Sequence, residues 1–191
     1  MKKTIFILLV MLLTQLYAVP TTETTARKGM TLQLTGDLIE VGDKAPIVSL
    51  VSSNMKKVRV GGVKKKIEII VVVPSLDTPV CDMEARTFND KAAHLKDVHI
   101  TIVSMDLPFA GKRYCAAHGI ENITIASDFQ TKNFGRQYGV LIDNSIVKGL
   151  LTRAIFIVKD GRIVYKQLVP EITHQPDYDA VFDALKKLDI K

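Results

Sequence analysis

Cysteine is scarce in this chain of 191 residues: Cys81 and Cys115 are the only two, and they form no Cys-x-x-Cys pair. That spacing is the usual mark of thiol-disulfide carriers, so its absence argues against one. Histidine is nearly as rare. His94, His99, His118 and His174 supply one conceivable metal pair, Cys115 with His118, and no second pair at ligand spacing to complete a site. No metal site is therefore expected. The basic runs Lys56-Lys57 and Lys64-Lys65-Lys66 lack the interleaved aromatics on which single-stranded nucleic acid stacks. Both read as solvated surface or a hairpin tip, and no nucleic-acid partner is expected. Internal repeats and low-complexity tracts are absent as well.

At the N-terminus, Lys2 and Lys3 precede a charge-free apolar run from Ile5 to Leu13, and Ala18 supplies a small residue for cleavage. Residues 1–18 have the layout of a secretory signal peptide, and the run is short for a membrane-spanning helix. Leu16 stands where a second small residue is usual, so an uncleaved anchor is the alternative. Loss of the two lysines takes the formal charge from +6 to +4, a mildly basic mature protein. A polar, aperiodic lead-in is expected over 19–29, and one domain over 30–191. A periplasmic or secreted location follows, without stable membrane insertion once the leader is removed. In that oxidising setting two cysteines raise a simple possibility, a non-catalytic exported binding module stapled by a structural disulfide.

Along the domain, Leu32 and Leu34, then Leu38 and Val41, flank Gly36-Asp37, which predicts an N-terminal β-hairpin. Short β-prone pieces follow at Ile47 to Val51 and Val58 to Val63. Ile67 to Val73 is almost continuous in β-branched residues, as in a strand buried on both faces. Apolar positions at Val80, Met83, Phe88, Ala92 and Leu95 trace a helix face, and Val98 to Ser104 is a second buried strand. Strand, helix and strand make a βαβ unit with a right-handed crossover. Asp106-Leu107-Pro108 opens a helix carrying Tyr114 and Cys115 to Gly119, followed by a strand at Ile123 to Ala126 and a short helix from Thr131 to Tyr138. Arg153 to Val158 and Arg162 to Leu168 form a hairpin about Asp160-Gly161, and Tyr178 to Leu188 closes the chain as an amphipathic helix. This order predicts an α/β, thioredoxin-like fold: a mixed central sheet flanked by helices, with an N-terminal β-hairpin extension.

The chemistry concentrates in Pro74-Ser75-Leu76-Asp77-Thr78-Pro79-Val80-Cys81. Thr78 is a favoured N-cap residue and Pro79 suits the first helical position. Cys81 then falls third in the helix, among amides without intrahelical partners and at the positive end of the dipole, which favours thiolate over thiol. The same stretch also lies past the carboxyl end of a strand, where ligands gather in such sheets. Asp77, Asp82 and Glu84 suit the helix dipole but oppose a neighbouring thiolate, so their effect on Cys81 has no fixed sign.

Pro74-x-x-x-Thr78-x-x-Cys81 resembles the active-site motif of the peroxiredoxins. With Asp-Leu-Pro-Phe-Ala at 106 to 110, Cys115 beyond it, Lys-Gly-Leu-Leu-Thr-Arg-Ala at 148 to 154 and Glu-Ile-Thr-His-Gln-Pro-Asp-Tyr at 171 to 178, it resembles the bacterial thiol peroxidase branch, of the atypical two-cysteine kind. The resemblance runs from about Thr31 to the C-terminus. It implies a homodimeric peroxidase, without metal or organic cofactor, acting on hydrogen peroxide and organic hydroperoxides, small alkyl or lipid ones included, and recycled by a thioredoxin-like dithiol reductant. It implies Cys81 as the peroxidatic cysteine, Cys115 as the resolving one, Thr78 and Arg153 in the peroxide site, and Pro74 shaping and shielding it. Taken alone, Thr78 would be an N-cap and Arg153 a surface residue at a strand start. Tyr114 and Phe109 are expected to pack their own helix or to wall an apolar pocket. Because Cys115 is placed inside a helix and a disulfide needs Cα atoms within about 7 Å, bond closure is expected to unwind one or both helices if the reduced form holds them further apart.

Overall fold

The computed structural model describes residues 23–188; the leader expected at 1–18 lies outside the described residues. In chain order the elements are β1 (Thr24–Arg27), β2 (Met30–Thr35), β3 (Val48–Ser52), β4 (Lys57–Val60), β5 (Ile67–Val72) and α1 (Pro79–Ala92). Then come β6 (Val98–Ser104), α2 (Pro108–His118), β7 (Thr124–Ser127), α3 (Asn133–Gln137), β8 (Leu141–Ile142), β9 (Ala154–Lys159), β10 (Arg162–Leu168) and α4 (Tyr178–Lys186).

Seven strands form one mixed sheet in the order β10-β9-β5-β6-β7-β3-β4. The β-branched run becomes β5, inside the sheet, parallel to β6 as the crossover requires and antiparallel to β9. Its side chains alternate between two cores, as the period of two dictates. Ile69 and Val71 pack with Ala85 and Phe88 of α1, Tyr114 of α2 and Val181 and Leu185 of α4. Ile70 and Val72 face the opposite side, with Phe134 and Tyr138 around α3. Helices thus cover both faces, and the thioredoxin-like architecture holds. Since β5 and β6 are parallel, α1 starts where β5 ends, and Cys81 is delivered to the carboxyl edge of the sheet.

The N-terminal hairpin exists, but its strands and turn differ from expectation. β1 pairs with β2 across Lys28-Gly29, so residues 24–27, expected as loose lead-in, form a strand. Both turn residues have positive φ (51° and 76°), the conformation a two-residue hairpin turn demands. Gly36 has another task. A Cβ there would stand 2.1 Å from the Arg136 carbonyl oxygen, so glycine permits a close backbone approach, and the Asp37 amide donates to that carbonyl at 2.7 Å. Leu38 and Val41, expected on the second strand, are exposed. β2 instead joins β8, and Leu32, Leu34, Ile142 and Ile172 form a third small core beneath this three-stranded sheet. No helix among the described residues is long and apolar enough to cross a membrane.

Candidate active site

Helix α1 begins as its sequence dictates, with Thr78 extended at the N-cap (φ −105°, ψ 144°) and Pro79 in the first turn. The Thr78 side chain does not cap. Its hydroxyl donates to the Ser75 carbonyl at 3.1 Å, tying the loop before the helix to itself. That loop is fixed from the β6–α2 connection by Asp106, whose carboxylate accepts from the Ser75 hydroxyl and the Leu76 amide, both at 2.8 Å. Asp106 thereby sets where the first turn of α1 begins. No role had been read for it, although it stands in one of the motifs quoted above.

Cys81 is fully buried, and the guanidinium of Arg153 meets it: Nη2 donates to Sγ at 3.2 Å. Arg153 is itself 1 % exposed, not the surface arginine its position alone would suggest. Three further contacts orient it. Nε and Nη2 donate to the Ile172 carbonyl at 3.0 and 2.8 Å, and Nη1 pairs with the Glu84 carboxylate. Ile172 belongs to the 171–178 motif, which therefore acts through its backbone. In the same segment the Gln175 amide donates to the Val80 carbonyl at 3.1 Å, holding this segment against the first turn of α1.

Glu84 lies three residues after Cys81, on the same face of α1 and fully buried. It is the site residue that sequence reasoning placed with the dipole-serving carboxylates. The signal available was its position beside Ala85 and Phe88 on the buried stripe. Burial pushes its carboxyl up from the ordinary range to about 7, against the opposing pull of Arg153. Its Oε1 has no hydrogen-bond partner among the described residues. A carboxyl that holds its proton more tightly folded than unfolded contributes less stability as pH rises from about 4.5 to about 7. Glu84→Gln should therefore flatten the pH dependence of unfolding across that window. Urea midpoints of reduced wild type and variant at pH 5 and pH 8 measure it, with Glu68 and Asp128, also pushed up by burial, common to both.

A pocket of about 240 Å³ lies over these groups, lined by Pro74, Thr78, Val80, Leu150, Arg153 and Ile172 among others. Arg153 thus lines the pocket and touches the sulfur. Pro74 is buried in its wall and Thr78 is exposed at it. Cys115 sits apart from this constellation, half-buried on α2, its thiol pushed up by burial and 3.9 Å from the Ser53 hydroxyl. Both cysteines are free, where a structural staple would have joined them. His118 faces Asp82 rather than completing a metal pair with Cys115, and no group of three or more potential ligands occurs among the described residues. Tyr114 is buried on its helix as expected, while Phe109 is 59 % exposed and belongs to none of the three cores. The assembly suits one kind of chemistry: a buried sulfur in hydrogen-bond contact with a guanidinium that also faces a small, largely apolar pocket.

Comparison with known proteins points the same way. The Redoxin family matches residues 40–182. A thiol peroxidase of Aquifex aeolicus is 47% identical over 162 residues, 84% of this chain and 95% of its own. A thiol peroxidase of Campylobacter jejuni is 49% identical over 150 residues, 78% of this chain and 85% of its own. The crystal structure of a peroxiredoxin-like protein from Aquifex aeolicus superposes with a TM-score of 0.84 at 46% identity, covering 86% of this chain and 96% of that one. A thiol peroxidase structure from Chromobacterium violaceum, 22% identical, shares the fold at a TM-score of 0.76. Fold, buried sulfur and relatives agree, and the chain belongs to the redoxin family, among its bacterial thiol peroxidases.

Proposed function

We propose that this chain is an exported peroxidase that reduces hydrogen peroxide and organic hydroperoxides through Cys81, resolves through Cys115 and is recycled by a thioredoxin-like dithiol. The observation that carries the reading is the 3.2 Å contact between Arg153 Nη2 and Cys81 Sγ in a fully buried site. The Cys81 thiolate attacks one peroxide oxygen; the O–O bond breaks, the sulfur becomes a sulfenic acid, and the other oxygen leaves with a proton as water or alcohol. Arg153 stabilises the thiolate and then the charge developing on the departing oxygen. The Thr78 hydroxyl, at the pocket wall, spends its proton on the Ser75 carbonyl and keeps lone pairs that can accept from the peroxide. Pro74 shields the site from bulk water. Cys115 supplies the second thiol, and the resulting disulfide is what the external dithiol reduces.

Two further parts belong to the same proposal. Leu107 and Phe109, 52 % and 59 % exposed at the start of α2, support a homodimer, which light scattering at micromolar concentration reads directly. The lysine-led apolar run at the N-terminus supports export to the periplasm or beyond. Intact-mass spectrometry of the mature protein tests leader removal and chemistry together. One equivalent of peroxide should remove two hydrogens from the reduced wild type, mapped to a peptide linking Cys81 with Cys115. In Cys115→Ser it should instead add one oxygen at Cys81. Oxygen addition at Cys115, or no change in mass, would sink the assignment.

A further inference from the structure

The two helices that carry the cysteines are joined by side chains for which the peroxide chemistry has no use. Asp82 follows Cys81 in α1, and Tyr114 precedes Cys115 in α2. The Tyr114 hydroxyl donates to Asp82 Oδ1 at 2.9 Å. One turn further along α2, His118 stacks on the Tyr114 ring, centroids 4.5 Å apart, with its Nδ1 3.4 Å from the same Asp82 oxygen. The other Asp82 oxygen takes Arg86 at 2.6 Å. A single carboxylate at the start of α1 therefore gathers a phenol and an imidazole from α2.

This contact matters because little else holds the last two turns of α2, although beyond the helix Asn89 of α1 accepts from the Glu121 and Asn122 amides at 3.1 and 3.0 Å. From Lys112 to Gly119, Tyr114 is the one buried residue. A helix segment with so few buried residues opens at low free-energy cost, and within it the contact that resists opening is the one at Tyr114. Closing a disulfide demands movement of at least one of the two cysteines, and opening of this segment supplies it. Cys81 Sγ faces Arg153 and Cys115 Sγ faces Ser53, so at least one sulfur must leave its partner before the two meet.

We infer that the Asp82–Tyr114–His118 contact is a clasp that keeps the α2 end folded and so governs how fast Cys115 reaches the oxidised Cys81. The three are positioning residues for the resolving step. The inference rests on the resolving role of Cys115 proposed above. In that step the Cys115 sulfur bonds to the Cys81 sulfur, the S–O bond of the sulfenic acid breaks, and hydroxyl and thiol proton leave as water. While the clasp is shut the sulfenic acid waits, and a second peroxide can carry it to the irreversible sulfinic acid. A tighter clasp therefore means slower resolution and more over-oxidation.

Tyr114→Phe removes the hydroxyl and leaves the ring; His118→Ala removes the stacking partner. Reduced protein is mixed with hydrogen peroxide, quenched with acid and alkylating reagent at set times, and analysed by mass spectrometry. Disulfide closure should be about three- to tenfold faster in Tyr114→Phe, the range expected for losing one ordinary hydrogen bond at a half-buried site. It should also be faster, by a smaller factor, in His118→Ala. The sulfinic fraction at excess peroxide should fall in proportion, while sulfenic acid formation stays within about twofold of wild type, a split that general destabilisation would not produce. Closure at the wild-type rate, or slower, in both variants would overturn the clasp and leave the peroxidase reading standing. A wild type that forms no Cys81–Cys115 bond would overturn both the resolving role and the clasp.

Discussion

Cys81→Ser should leave no peroxide consumption above the uncatalysed background, with hydrogen peroxide or cumene hydroperoxide as substrate and dithiothreitol as reductant. A serine hydroxyl stays protonated at neutral pH even beside a guanidinium, and its oxygen cannot carry a transferred oxygen atom as sulfur does. The replacement is nearly isosteric, and Arg153 Nη2 can donate to the new oxygen as it does to Sγ. The fold should accordingly survive, with stability changed by about 1 kcal/mol or less. Residual turnover in a folded Cys81→Ser protein would place the nucleophile elsewhere.

Arg153→Met has the second large effect, and it divides into two measurable parts. Loss of the donor facing the sulfur and the departing oxygen should lower kcat/KM by about 10²- to 10³-fold. Loss of the charge leaves Glu84 buried without its partner, which should lower stability by about 3–5 kcal/mol. Arg153→Lys should rescue neither fully. The guanidinium reaches Cys81, Glu84 and the Ile172 carbonyl through three nitrogens in one plane, and a single ammonium cannot. The double variant Arg153→Met with Glu84→Leu separates the parts: most of the stability should return, and none of the rate. Stopped-flow peroxide consumption and urea unfolding measure the two.

What was legible in the sequence was mostly local. The register of Thr78, Pro79 and Cys81 follows from the chemistry of a helix start, and the βαβ unit from β-branched runs bracketing an amphipathic stretch. β1 was not legible because Thr24–Arg27 carries no apolar alternation. It becomes a strand through tertiary bonds, from the Ala26 amide to the Pro170 carbonyl and from the Ile172 amide to the Ala26 carbonyl. β8, two residues long, is too short to show a period. At the site, the composition of α1 does not distinguish Glu84 from Asp82, since both are carboxylates near a helix start. One points at a buried arginine and the other at a tyrosine and a histidine, and only the packing of distant elements separates them. Thr78 is the reverse case: the capping residue is where expected, but its hydroxyl turns back to Ser75.

Arg153 follows Cys81 by 72 residues and reaches it only because β9 lies against β5. A chain emerging N-terminus first presents its cysteine long before that strand exists. Through synthesis the sulfur has neither guanidinium nor pocket, and it meets oxidants on the same terms as any other thiol. The guanidinium arrives only when the last third of the protein docks, so the order of folding itself would guard the proposed nucleophile until there is an enzyme to use it.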